Sequence, residues 1–177
     1  MSKYGNKLAT PEQVASLVRD GMWVDYGTVQ APRAFDRALA QRVGEVKNVK
    51  IRALGHLTPL EVMEKDPEAK SFWIGNWHIL GWTRKYIAEN RGTHIPYNFG
   101  EAARYYRDGL DVDIAVQIVT PMDKHGYFNF GPLCNFKKAV FERAKIIVVE
   151  VVEDMPWCYG GYDECIHISE VDYVIEN

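Results

Sequence analysis

The residues of this chain that could do chemistry gather in three loops. The first is Gly27-Thr28-Val29-Gln30-Ala31-Pro32, which leads from a strand pattern into a helix pattern. Backbone N–H groups at a helix start lack intrahelical acceptors, so this turn could hold an anion such as a carboxylate. An ordinary strand-to-helix turn has the same composition. The second is Leu54-Gly55-His56, where glycine lets a ligand approach the backbone and the imidazole could donate to a carboxylate. A surface histidine in a turn explains those residues equally well. The third is Thr120-Pro121-Met122-Asp123-Lys124-His125-Gly126-Tyr127-Phe128-Asn129-Phe130-Gly131. Its proline ends a strand, Asp123 to Gly126 make a turn, and an aromatic run re-enters extended chain. It reads as a pocket wall or as a hairpin capping the domain, and composition favours the hairpin. Each loop follows a strand pattern, and open α/β sheets bind ligands at the carboxyl ends of their strands.

No complete catalytic set accompanies these loops. There is no GxGxxG after a strand, no GK[ST], no HExxH and no GxSxG. The five histidines (His56, His78, His94, His125 and His167) show no pair at ligand spacing on one helix, so no metal site is expected. Arg84 and Arg91 could meet an acidic ligand, although a solvated surface is the default for both. Glu101, opening a helix after Phe99-Gly100, suits the helix dipole without any further role.

The elements that must position these loops follow from periodicity. Thr10-Pro11-Glu12-Gln13 has the form of a capping box, and Val14, Leu17 and Val18 continue at helical spacing until Gly21. Trp23 to Tyr26 reads as a strand, Pro32 to Val43 as a helix and Val49 to Leu54 as a second strand. Glu61 to Lys70 and Glu101 to Arg107 read as helices, with another capped by Thr83 and running through Glu89. Ile95 to Phe99 reads as extended. Phe72 to Trp82 holds three of the five tryptophans among glycines, which predicts a poor regular element that lines a pocket, joins the core or faces another domain or subunit. Asp113 to Val119 and Ile146 to Val152 are apolar runs, as strands covered on both faces would be. Phe136 to Ala144 is an amphipathic helix, and Ile166 to Ile168 and Tyr173 to Ile175 are short strands. The rhythm is that of one α/β domain over residues 1–177, an open and mainly parallel sheet flanked by helices.

Composition bounds the rest. The chain has 177 residues, 47% hydrophobic and 25% charged, with a formal net charge of −3. That excludes a disordered chain, and no basic field recommends nucleic acid as a partner. No apolar run approaches the roughly 18 residues of a membrane span, so no membrane partner is expected. Met1-Ser2-Lys3-Tyr4-Gly5 has no apolar stretch of the kind a signal peptide needs, and three cysteines without a CxxC spacing read as reduced thiols. A cytoplasmic location is the expectation.

The order of these segments resembles the amino-terminal domain of the acetyl-CoA hydrolase/transferase family, which includes acetate, butyrate and 4-hydroxybutyrate CoA-transferases. The most specific piece is Val119 to Gly131, similar to the family's S-P-P-D-x-H-G-Y-x-S-F-G run. The second is His167-Ile168-Ser169-Glu170-Val171-Asp172-Tyr173-Val174-Ile175-Glu176, similar to H-V-S-E-I-D-Y-I-V-E. Gly27 to Pro32 followed by Phe35 to Leu39, Thr83-Arg84, and Ala144-Lys145 before Glu150 support it. Asn129 stands where the family commonly has serine, and Pro132-Leu133-Cys134-Asn135 where it has V-S-V-D.

The resemblance implies a CoA-transferase-like (NagB/RpiA-like) fold and a reaction through a glutamate nucleophile, an acyl-glutamyl anhydride and a glutamyl-CoA thioester. Coenzyme A is then a substrate, and no cofactor is implied. The family's glutamate lies in a carboxy-terminal domain, in a Glu-x-Gly-x-Gly setting, and this chain contains no Glu-x-Gly. It therefore resembles half of an active site, with acyl-CoA and carboxylate as substrates and a carboxy-terminal domain or subunit as partner in an oligomer. No catalytic residue is assigned to this half. The resemblance places substrate contacts at the loops of Gly27, Gln30, His56, Glu101, Phe130 and Gly131. A hydrolase of the same family and a non-catalytic binding domain of the same fold remain the alternatives.

Overall fold

In the computed structural model, which describes residues 3–177, α-helices and strands alternate from α1 to the fifth strand. The strands are β1 (Trp23–Gly27), β2 (Val49–Ala53), β3 (Phe72–Asn76), β4 (Gly92–His94), β5 (Val112–Val119), β6 (Tyr127–Asn129), β7 (Ala144–Val151), β8 (Cys165–His167) and β9 (Tyr173–Glu176). The α-helices are α1 (Pro11–Ala15), α2 (Arg33–Ala40), α3 (Glu61–Lys65), α4 (Gly81–Ala88), α5 (Ala102–Gly109) and α6 (Lys137–Arg143). Among the described residues, seven strands form one sheet in the order β4-β3-β2-β1-β5-β7-β9, and every pairing in it is parallel. The short β6 and β8 pair antiparallel as a separate ribbon.

Alternation along the strands sends side chains to two cores. Val24, Tyr26, Ile51, Ile74, Val116 and Val148 pack against α1, α2 and α3 on one face. Ala115, Val119, Val149, Val151 and Val174 pack against α5 and α6 on the other. The mainly parallel α/β architecture expected from the sequence is the one observed.

Local chemistry explains the boundaries. The Thr10 hydroxyl accepts from Gln13 N at 3.2 Å while Gln13 Oε1 accepts from Thr10 N at 2.8 Å, completing the capping box that starts α1. This helix ends at Ala15 rather than continuing to Gly21, and α3 ends at Lys65 rather than Lys70. There the Asp66 carboxylate turns the chain by accepting from the backbone N–H of Lys70, Ser71 and Phe72.

The aromatic stretch from Phe72 departs most from expectation, because its first part is a regular central strand paired with β2 and β4. Its neighbour supplies the reason: a Cβ on Gly92 would lie 2.3 Å from Ile74 Cγ1, so glycine in β4 lets Ile74 fill the core. Accordingly β4 forms at Gly92–His94, and Ile95 to Asn98 is irregular. Thr83 does not cap α4, which starts at Gly81 after an N-cap at Leu80, and its hydroxyl is buried without a partner. The third loop does close on itself as a hairpin, with Thr120 N donating to Asn129 O at 3.0 Å and Asp123 N to Tyr127 O at 2.9 Å. Residues 120–126 lead into β6, whose partner β8 lies far along the chain.

Candidate functional site

Strand order places β1 beside β5, with β2 to β4 extending to one side and β7 and β9 to the other. Loops leaving β1 and β5 diverge there, which opens a crevice at the carboxyl ends of the strands. A cavity of about 440 Å³ occupies that crevice. Val29, Leu57, Ile118, Val152 and Met155 supply apolar wall, and Gln30, Arg33 and Thr58 supply polar groups. Every one of these follows or ends a strand: β1 for residues 29–33, β2 for 57–58, β5 for Ile118 and β7 for Val152 and Met155.

Glu150 forms part of the lining, is fully buried and is locked in place. Its carboxylate accepts from Ala34 N at 3.0 Å, from Phe35 N at 2.9 Å and from Asn177 Nδ2 at 3.0 Å. The anion-binding start of α2 is thus occupied from within the chain, and the turn from Gly27 to Pro32 does not offer those donors to a ligand. Burial raises the Glu150 pKa against the pull of these donors.

The turn leaving β1 is held from below. Gly27 has φ +71°, and a Cβ there would lie 2.7 Å from Gln117 Oε1. Gly27 N donates to Asp25 Oδ1 at 2.7 Å. The other Asp25 oxygen accepts from Arg52 Nε at 2.9 Å and from Tyr106 Oη at 2.5 Å, all within the core. Arg52 also donates to Asp111 O at 2.7 Å and lies between the Trp23 and Tyr106 rings. Burial opposes the Arg52 charge, but Asp25 and Tyr106 outweigh it and hold its pKa up. A buried pair so fully bonded costs little where it stands and much if one partner is removed.

The sequence candidates separate on this geometry. Gln30 is exposed on the cavity rim, and Gly27 is buried at the root of the same turn. His56 is not a surface residue. It is 1% exposed, and burial drives its pKa down to about 3, opposed by the Asn76 side chain. It lies directly before Leu57 and Thr58 of the lining, behind the wall. Gly131 approaches the wall at Met155, whose Sδ would lie 2.8 Å from a Cβ on that glycine. Phe130 is buried, packed on Phe141 and under the buried Lys137 ammonium. Glu101 stands apart at the start of α5 in an ion pair with Arg104 at 3.1 Å.

Of the tryptophans, Trp77 is buried against Tyr106 and Phe136, Trp73 is half-buried and Trp82 is exposed. Arg91 is buried and donates to Met63 O and Glu89.

Asp25, Arg52, Gln117 and Glu150 are the structural residues that sequence reasoning missed. Each carried a signal, because each is a polar residue within a mainly apolar strand. Arg33, Leu57, Thr58 and Met155 carried none, since nothing local distinguishes them from ordinary loop and helix-start residues. No helix among the described residues is long and apolar enough to cross a membrane, and none of their His, Cys, Asp and Glu side chains group in threes that could hold a metal ion.

Comparison with known proteins gives the same fold a family. The butyryl-CoA:acetate CoA-transferase of Anaerostipes caccae is 42% identical over 176 residues, covering 98% of this chain and 40% of that protein. A probable butyrate:acetyl-CoA coenzyme A-transferase of Syntrophomonas wolfei is 42% identical over 183 residues, again 40% of its length. The chain therefore spans about two-fifths of these relatives. Among solved structures, RipA from Yersinia pestis superposes with a TM-score of 0.85 at 27% identity, covering 98% of this chain and 43% of that one. The family model for the acetyl-CoA hydrolase/transferase N-terminal domain matches residues 1–177, and the chain belongs to that family.

Proposed function

We propose that this chain is the amino-terminal half of a CoA-transferase that moves coenzyme A between an acyl-CoA and a carboxylic acid such as acetate. In this reading the cavity at the β1–β5 divergence receives the acid or the acyl group. The nucleophilic glutamate comes from a carboxy-terminal domain or subunit facing it.

The observation that carries the reading is the character of the cavity. Its lining combines apolar side chains with a few polar and charged ones, as a site for a short aliphatic acid would. Of the two carboxylates on the lining, Glu150 and Asp154, the buried Glu150 spends both oxygens on N–H donors and is not free to attack. Burial raises its pKa while the N–H donors hold it in place, so it ionises less readily than a free carboxylate and cannot swing to a thioester. The attacking group must then enter from outside this half, across the open side of the crevice.

The chemistry balances in two half-reactions. Glutamate attacks the acyl-CoA carbonyl, giving an acyl-glutamyl anhydride and CoA thiolate. The thiolate attacks the glutamyl carbonyl, releasing the first acid and leaving a glutamyl-CoA thioester. The acceptor carboxylate repeats these steps in reverse order and leaves as its CoA thioester. Val29, Leu57, Ile118, Val152 and Met155 exclude water from the apolar tail, and the fixed β1–α2 turn holds the wall in register while the anhydride exists.

The test pairs the chain with a carboxy-terminal half bearing Glu-x-Gly-x-Gly and follows label from acetate into acetyl-CoA with butyryl-CoA as donor. Ping-pong exchange that requires both halves is the expected result. CoA release that does not need acetate would mark a hydrolase instead. A stable pair that does neither refutes the enzymatic reading.

A further inference from the structure

Helix α2 breaks two local rules at its exposed face. Arg33 is its first residue, so a cation sits at the positive end of the helix dipole. Arg37 follows four residues later, which stacks a second like charge on the same face. Neither guanidinium has a hydrogen bond, ion pair or ring contact among the described residues, although Asp36 and Glu61 are close by. The Asp36 carboxylate is taken up by Tyr26 Oη and Glu61 N. A helix that keeps two unpaired arginines at its start gains nothing from them in folding.

Their position supplies a use. Arg33 and Thr58 line the 440 Å³ cavity and also a smaller recess of about 210 Å³ beside it, where Arg37 and Glu61 complete the rim. Gln30 shares the first rim. The Arg33 guanidinium, the Thr58 hydroxyl and the Gln30 amide are three donors without protein partners on a lining that otherwise carries apolar side chains, the Glu150 and Asp154 carboxylates and Asn177. Asp154, also on the lining, makes no ion pair with Arg33. Apolar side chains beside unpaired donors on one lining fit an aliphatic carboxylate.

We infer that Arg33, assisted by Thr58 and Gln30, seats the carboxylate of the free acid at the cavity mouth. Arg33 thereby distinguishes the acid from the neutral acyl thioester. The inference rests on the CoA-transferase reading and adds the group that recognises the acceptor. A cation on the lining attracts the carboxylate to where a thioester on the facing half can be attacked. It also favours acid over water in resolving that thioester, which is the difference between a transferase and a hydrolase.

The test is Arg33→Met, with Arg33→Lys as the conservative variant, in the exchange-competent pair. Because Arg33 is exposed at a helix start, the unfolding midpoint should be unchanged. The expected result for R33M is a rise of about 10- to 100-fold in KM for the acid, the loss typical of a charge-assisted contact. KM for acyl-CoA should stay constant, and R33K should recover part of the effect. An unchanged acid KM overturns the inference while exchange itself, and with it the transferase reading, stands. A rise confined to acyl-CoA would assign Arg33 to the coenzyme's phosphates and also overturn it. If wild type shows no exchange, binding of butyrate against butyramide to this chain, read by NMR, still decides. Preference for butyrate that vanishes in R33M supports the seat, and equal binding removes it.

Discussion

Replacing Gly27 by alanine probes the turn that carries the cavity's first wall. Two costs can be worked from the structure. Holding alanine at φ +71° costs about 1–2 kcal/mol, because a Cβ in the left-handed region crowds the following carbonyl. The new methyl would also lie 2.7 Å from Gln117 Oε1 and 2.8 Å from its Cδ. The end of a flexible side chain gives way cheaply only where there is room, and Gln117 is fully buried. Overpacking of that kind adds about 1–3 kcal/mol, so G27A should lose roughly 2–5 kcal/mol in all. The same substitution in a Gln117→Ala background should keep only the backbone part, leaving a coupling of about 1–3 kcal/mol between the two sites. Urea unfolding of the four proteins of the cycle measures this directly, provided the m-values agree. A G27A cost below about 0.5 kcal/mol would refute the strain argument. An equal cost in both backgrounds would refute the role of Gln117.

Other consequences follow from the buried charges. Arg52→Met should cost about 3–5 kcal/mol by stranding the Asp25 carboxylate in the core, and adding Asp25→Leu should recover most of it in the same unfolding assay. Glu150→Gln should lower the thermal midpoint, since α2 loses the charge at its N-terminus, with a cost of about 1–2 kcal/mol. Two buried groups pull the pH dependence of stability in opposite directions. Burial raises Asp36 from 3.8 to about 7, so its contribution is complete at low pH and is lost as pH rises through neutrality. Burial lowers His56 from 6.5 to about 3, so its contribution is complete above its ordinary value and is lost on acidification. Each slope approaches about 1.4 kcal/mol per pH unit, and they oppose one another over the shared range. Unfolding free energies of Asp36→Asn should therefore fall more steeply than wild type on going from pH 6.5 to 4, and a wild-type-like profile would contradict the Asp36 assignment.

The parallel sheet was legible because its strands are apolar runs separated by amphipathic helices, and a sheet covered on both faces leaves that imprint. Strand β3 was not, because tryptophans and glycines disguise its period. What makes it a strand is Gly92, a residue on the next strand that no local pattern connects to Ile74. The loop from Gly27 to Pro32 was found by its place after a strand, yet its role as an anion cradle was displaced by Glu150, 116 residues away from Ala34 in sequence. That carboxylate could be seen as an oddity in an apolar strand, but its partner could not be read without the β1–β5–β7 adjacency. His56 was located and its environment misjudged, since one turn of chain decides whether such a side chain faces water or the core. The cavity as a whole lay beyond sequence reading, because six separate chain segments converge on it and none of them repeats a pattern.

The central claim is that the crevice at the carboxyl ends of β1, β5 and β7 receives the acid. Methyl NMR of this chain titrated with butyrate measures it most directly. The account predicts that shifts concentrate at Val29, Leu57, Ile118, Val152 and Met155, while methyls of the opposite strand ends, such as Val49 and Val112, stay in place. Saturable shifts at those opposite ends, with the cavity methyls silent, would contradict it.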